Sequence, residues 1–174
     1  LAAATALVLL SWWWGATQLT AFAVLVGVTA PLLPAAVPVF GRAVRSGATT
    51  LSLMAASVAL VHLWEGVTEA HFVFFVMIGV VSLYQHWVPF GIALVVVTVH
   101  HGVIGTLYPM AVFGHDGMHD PWAWAGVHAA FVLAASVAHL ASWRLNETQV
   151  VRDPLTGLGN RTLLEETTAR GLRT

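Results

Sequence analysis

The sequence predicts an all-α membrane protein: a polytopic bundle of about six spanning helices, followed by the start of a soluble region. Two observations carry this. Of 174 residues, 58% are hydrophobic and 9% charged, against about 25% charged in an ordinary soluble domain. The charges are also unevenly placed. None lies in residues 1–41, whereas residues 144–174 hold Arg144, Arg152, Arg161, Arg170 and Arg173 beside Glu147, Asp153, Glu165 and Glu166. The division expected is a membrane sensor region over 1–143, a helical linker over 144–151 and the opening of another domain over 152–174.

Six segments approach the roughly 20 apolar residues that a spanning helix needs: 1–15, 17–40, 48–65, 70–87, 88–108 and 121–143. The first is short and begins at Leu1, so the chain reads as a fragment cut at both ends. The second contains Pro31, Pro34 and Pro38, which predicts a kinked or unwound second half. The third follows Arg42 and Arg45 and ends beside Trp64, and the fourth and fifth meet at Trp87. The sixth carries Trp122 and Trp124 at one end and Trp143 at the other, where amphipathic indoles prefer the interface. Arg42 and Arg45 precede four of these crossings and Arg144 and Arg152 follow them. Both basic groups then lie on one side, which the positive-inside rule makes cytoplasmic. The expected location is a bacterial cytoplasmic (inner) membrane, in contact with membrane lipid, with a cytoplasmic C-terminus and the Asp116–Asp120 loop outside.

A net charge of −1 leaves no basic patch for nucleic acid. The absence of cysteine excludes disulfides, thiolate metal sites and a cysteine nucleophile.

Behind the last apolar segment the chain reads Asp153-Pro154-Leu155-Thr156-Gly157-Leu158-Gly159-Asn160-Arg161. This stretch resembles the Asp-x-Leu-Thr-Gly-Leu-x-Asn-Arg opening of GGDEF domains, the catalytic domains of diguanylate cyclases. All seven fixed positions match, against the blander possibility of a helix end, a Pro/Gly turn and a new helix capped near Asn160. The resemblance covers about residues 150–174. It implies the first turn and helix of a truncated α/β GGDEF domain, with Asp153 and Arg161 structural rather than catalytic. The family's metal and guanine contacts lie further along, so this chain should itself be inactive and has no catalytic residue. For a full-length protein the resemblance implies diguanylate cyclase activity: two GTP molecules condensed to cyclic di-GMP with Mg²⁺ or Mn²⁺. The 3′-hydroxyl of one GTP attacks the α-phosphate of the other. Each site holds one GTP, so a homodimer is implied.

All nine histidines fall between positions 62 and 139. Ionisable groups inside a bilayer are costly and mark functional interiors. Helix counting places His62, His71, His100, His101 and His128 in the outer half of the membrane. Glu65 and Glu69 share a helical face with His62, because seven residues turn a helix to within about 20° of its start. The stretch from His62 to Phe75, with His100-His101 behind it, is also similar to histidine-rich membrane sensor regions ahead of cyclase and chemoreceptor outputs.

Three ligand readings compete for these residues. One is a b-type haem, with His62, His71, His100, His101, His128 and His139 as candidate axial ligands. His128 and His139 lie about 16 Å apart on one helix face, which would allow a second site served by His86. Another is a divalent transition-metal ion, with His62, Glu65, Glu69, His71, His100 and His128 as candidates. The third is proton sensing. Interhelical hydrogen bonding with no ligand is the bland alternative. Adjacent His100 and His101 point about 100° apart on an α-helix, so one of them should pack elsewhere. The loop Gly114–Asp120 can capture a cation but is more often merely solvated. Of Phe72, Phe74 and Phe75, lipid or helix contact is the expected use.

The function expected is the membrane-embedded sensory input of a diguanylate cyclase. A histidine-lined transporter or electron-transfer protein, or a sensor with an inactive GGDEF domain, are the alternatives.

Overall fold

Proline breaks the second apolar segment where its ring chemistry requires. The computed structural model describes residues 18–117 and 119–150 and, beyond them, Leu158, Gly159, Arg161, Leu164, Glu165 and Thr168. In it helix α1 spans Gln18–Thr29 and a short α2 spans Leu32–Ala36. The chain turns at Pro31, which has no N–H to extend α1. Val37 leaves the helical region at φ −87°, ψ 115° because the ring of Pro38 behind it disfavours α geometry. The expected kink is therefore present as a clean break.

Helix α3, Arg42–Leu63, begins earlier than expected, so Arg42 and Arg45 sit in its first turn rather than in a loop. Arg42 donates to the carbonyl of Tyr84 at 3.2 Å, and Arg45 to that of Ala35 at 3.0 Å. The buried face of α3 runs through Ser46, Thr50, Met54, Ser57 and Val61, spaced three or four residues apart. Most of these are small, and small residues let helix backbones approach closely in a membrane. α3 accordingly packs against α1, α2, α4, α5 and α7. Ser52 donates to the Val28 carbonyl of α1 at 2.6 Å in a buried site, beside the cluster of Val28 with Val24, Ala55, Ala56, Leu60 and Leu63. Ser52→Ala is expected to lower unfolding stability in detergent by about 1 kcal/mol. An unchanged unfolding curve would show that this bond does not hold α1 to α3.

Helix α4, Thr68–Ser82, buries Ala70, His71, Phe74, Ile78, Val81 and Ser82 along one stripe and exposes Phe72, Val76 and Val80 on the other face. Next come α5, Trp87–Thr98, a π-helical turn, Val99–Ile104, and a single α-turn α6, Gly105–Leu107. His86 caps α5, its Nδ1 accepting from the Val88 N–H at 3.1 Å. α7, Pro109–Gly117, is kinked at Gly114, and α8, Pro121–Val150, takes in residues 144–150 of the expected linker. Asp120 caps α8 through its carboxylate, which accepts from the Ala123 N–H at 3.0 Å. The described residues form helices and no strand.

Six spanning helices are not what these residues form. Among the described residues three helices are long and apolar enough to cross a membrane: α3, the continuous run Trp87–Leu107, and Pro121–Glu147 of α8. The expected 70–87 span shortens to the 15 residues of α4. At a rise of about 1.5 Å per residue these reach about 22 Å, less than a hydrocarbon core of about 30 Å. Proline breaks the 17–40 span, and the 1–15 span lies outside the described residues. The count of four crossings between the two basic groups therefore rested on α4 as a full span.

The chain divides into two compact units, Leu1–Ser136 and Val137–Thr174, with the boundary inside α8. In the second, the Trp143 indole donates to Glu147 at 2.7 Å and Arg161 pairs with Glu165 at 2.7 Å. Of the Asp153–Arg161 stretch, only Leu158, Gly159 and Arg161 are among the described residues.

Candidate metal centre

The first unit gathers histidines from three helices. His71 stands in the first turns of α4, His101 in the π-helical turn and His128 in α8. All three are buried. Their ring centroids are separated by 5.2 Å (His71–His101), 4.6 Å (His71–His128) and 5.0 Å (His101–His128). One nitrogen from each lies within 4.8 Å of the others.

Local helix geometry gives each of the three rings the same kind of hydrogen bond to its own helix. His71 Nδ1 bonds the Val67 carbonyl at 3.1 Å, His101 Nδ1 the Val97 carbonyl at 3.0 Å and His128 Nδ1 the Trp124 carbonyl at 2.8 Å. Each partner stands four residues earlier. A carbonyl oxygen only accepts, so each Nδ1 carries a hydrogen, and in a neutral ring so held Nε2 has the free lone pair. The Nε2 atoms of His71 and His101 are buried and have no hydrogen-bond partner. Imidazoles that ligate metals are held in this way, with the remote N–H fixed by a carbonyl or carboxylate.

His100 lies beside the triad rather than in it. Its ring is 4.9 Å from His101, 6.5 Å from His71 and 5.2 Å from His62, and neither of its buried nitrogens has a hydrogen-bond partner. The sequence-based metal set named His100 where the structure supplies His101. Contrary to the expectation that one of the pair packs elsewhere, both are buried, in a π-helical turn that an α-helical projection does not contain. Such turns recur at functional sites.

His62 is exposed in the last turn of α3, its ring 5.2 Å from that of His100. Glu65 and Glu69 are exposed, and neither belongs to the group of converging ligand atoms. α3 ends at Leu63, and the turn that follows holds Glu65 at φ 54° and Gly66 at φ 73°. The helical phase expected to align both carboxylates with His62 is therefore broken. His139 lies in the second unit, half-buried in α8. His115 and His119 are exposed.

Aromatic rings wall the triad. Phe113 of α7 stacks on His71 at 6.2 Å with an interplanar angle of 15°, and lies 5.6 Å from His128 and 6.0 Å from His101. No sequence periodicity marked it, because it comes from a short helix behind a loop. Phe74 is buried at 5.1 Å from His101, whereas Phe72 is exposed. An apolar cavity of about 420 Å³ borders His101, between Val97 and Thr98 on one side and Trp122, Gly126, Ala129 and Val132 of α8 on the other.

No family model matches the chain, and no solved structure matches it. Over 114 residues it is 39% identical to a protein of Halobacterium salinarum named Transducer protein Htr8. That stretch covers 65% of this chain and 18% of the relative, so the chain spans under a fifth of the length of the protein it matches.

Proposed function

We propose that this chain is the membrane-embedded sensory input region of a signalling protein, with its stimulus acting at the His71–His101–His128 centre. The observation that carries this reading is the convergence of three tautomerically fixed, buried imidazoles from three helices. One of those helices, α8, continues to Val150. The likeness to a protein named a transducer supports an input role over transport or electron transfer. Haem and a transition-metal ion are the two groups that imidazoles of this kind hold.

The output assigned here is a diguanylate cyclase domain, and the Asp153–Arg161 stretch alone supports it. In this reading the protein lies in a bacterial cytoplasmic membrane with its C-terminus cytoplasmic, and it works as a homodimer that brings two GTP sites together. A ligand controls such an output only if it binds one helix arrangement more tightly than another.

Full-length protein in lipid nanodiscs, supplied with GTP and Mg²⁺, is expected to form cyclic di-GMP. The rate should differ at least about fivefold between native protein and His128→Ala, the lower end of ordinary allosteric coupling. No product under any ligand condition would remove the cyclase reading. Equal rates in both proteins would remove the histidines from the signalling path.

A further inference from the structure

We infer that His71, His101 and His128 form a mononuclear three-imidazole site for a divalent first-row transition ion, bound through their Nε2 atoms and without haem. This deepens the sensory reading by naming the ligand of the same centre. Occupancy of the site does not depend on that reading, although its use in signalling does.

Ring spacing distinguishes the two cofactors. Metal–nitrogen distances of about 2.0–2.1 Å place an imidazole centroid about 3.2 Å from the ion, so two such rings at a tetrahedral angle lie about 5.2 Å apart. The observed separations are 4.6, 5.0 and 5.2 Å. Two imidazoles on opposite faces of a haem iron would instead lie about 6.4 Å apart, with the porphyrin filling the plane between them. Here every pair is closer, and the third ring stands against both members of the pair. The Phe113 ring, 5.6 to 6.2 Å from the three histidines, occupies a further side.

The donor set narrows the ion. The group holds only imidazoles, with no carboxylate in it, and the chain has no cysteine. Hard Ca²⁺ and Mg²⁺ require oxygen ligands, whereas imidazole suits Zn²⁺, Cu²⁺, Fe²⁺ and Ni²⁺. Three protein ligands leave one position open, the pattern of exchangeable centres rather than closed structural ones. The prepaid orientation of each ring by its own helix carbonyl lowers the ordering cost of ligation.

The test uses the whole chain, untagged, solubilised in detergent and stripped with chelator, with Co²⁺ as probe and Zn²⁺ as competitor. One Co²⁺ per chain is expected, with the intense visible bands of a tetrahedral site, displaced by one equivalent of Zn²⁺. His71→Ala, His101→Ala and His128→Ala should each weaken Co²⁺ binding at least about 100-fold, while His62→Ala and His100→Phe stay within about threefold.

A folding defect in the variants is separated by ¹⁵N NMR of the native chain labelled at histidine. Three imidazoles should be in the Nδ1–H form, with Nε2 resonances that shift on Zn²⁺ addition. Folded native chain that takes up no Co²⁺, gives only octahedral bands, or carries a Soret band would overturn the site. So would tetrahedral binding that survives His101→Ala. Co²⁺ binding through the triad with an unresponsive output would leave the site standing and remove the sensory reading. A stimulus response in native chain that takes up no Co²⁺ would do the reverse.

Discussion

Phe113→Ala should destabilise the protein by about 3–5 kcal/mol, the range for truncating a buried phenylalanine, and should loosen the histidine centre together with the fold. The ring is 4% exposed and touches all three histidines of the triad. It also fills space that two glycines leave open. A Cβ on Gly105 would lie 2.6 Å from the Phe113 ring, and one on Gly117 would collide with its Cβ. Most of the cost is lost van der Waals contact and cavity formation, which a lipid environment does not relieve. Thermal or SDS unfolding in detergent should show the loss. The Co²⁺ affinity should fall about 10- to 100-fold, as when groups orienting a ligand are removed. An unfolding curve like that of the native chain would mean that α7 does not wall the centre. Gly105→Ala should act in the same direction by pushing the ring off His71.

Gly66→Ala should cost about 3 kcal/mol or more, because no side-chain rotation can relieve it. Gly66 has φ +73°, and a Cβ there would lie 2.5 Å from the Gly114 nitrogen, 2.8 Å from the Val112 carbonyl carbon and 2.9 Å from the Phe113 nitrogen. All three are backbone atoms, so either the turn or α7 must move. Gly114 faces it at φ +64°, ψ −159°, a conformation open essentially to glycine alone. This crossing presses the α3–α4 turn onto α7, and His71 follows five residues behind Gly66. The same turn supplies a control in Glu65, which holds φ 54° with a side chain. Glu65→Gly should be neutral or stabilising by about 1 kcal/mol and should leave Co²⁺ affinity unchanged, since its carboxylate is outside the triad. A large loss of affinity in Glu65→Gly would return that carboxylate to the ligand set.

Much of the fold was legible because membrane burial writes itself into composition. Long apolar runs and the proline break at Pro31 follow from one-dimensional rules about lipid and backbone hydrogen bonding. That the described residues are helical was legible, but the π-helical turn at Val99–Ile104 was not. Span length was less so, since an apolar run such as 70–87 does not show where its helix stops. α4 ends at Ser82, and the following turn places Gln85 at φ 48°.

The candidate site divides in the same way. That histidines mark the membrane region was readable from all nine lying between positions 62 and 139, but whether they meet in space was not. His71 and His128 stood in both the haem and the metal sets, whereas His101 stood only among the haem ligands. Which ligands converge is a matter of helix rotation, and rotation is set by packing. From the π-helical turn His101 rather than His100 joins the triad, the Trp64–Val67 turn breaks the helical phase of Glu65 and Glu69, and α7 brings in Phe113 from a segment whose sequence pattern marked nothing. By itself the sequence determined that this is a histidine-rich helical membrane chain, because hydrophobicity and the cost of buried polar groups act residue by residue. Only the tertiary structure decided which three imidazoles meet, because that depends on backbone register and close contacts between helices distant in sequence.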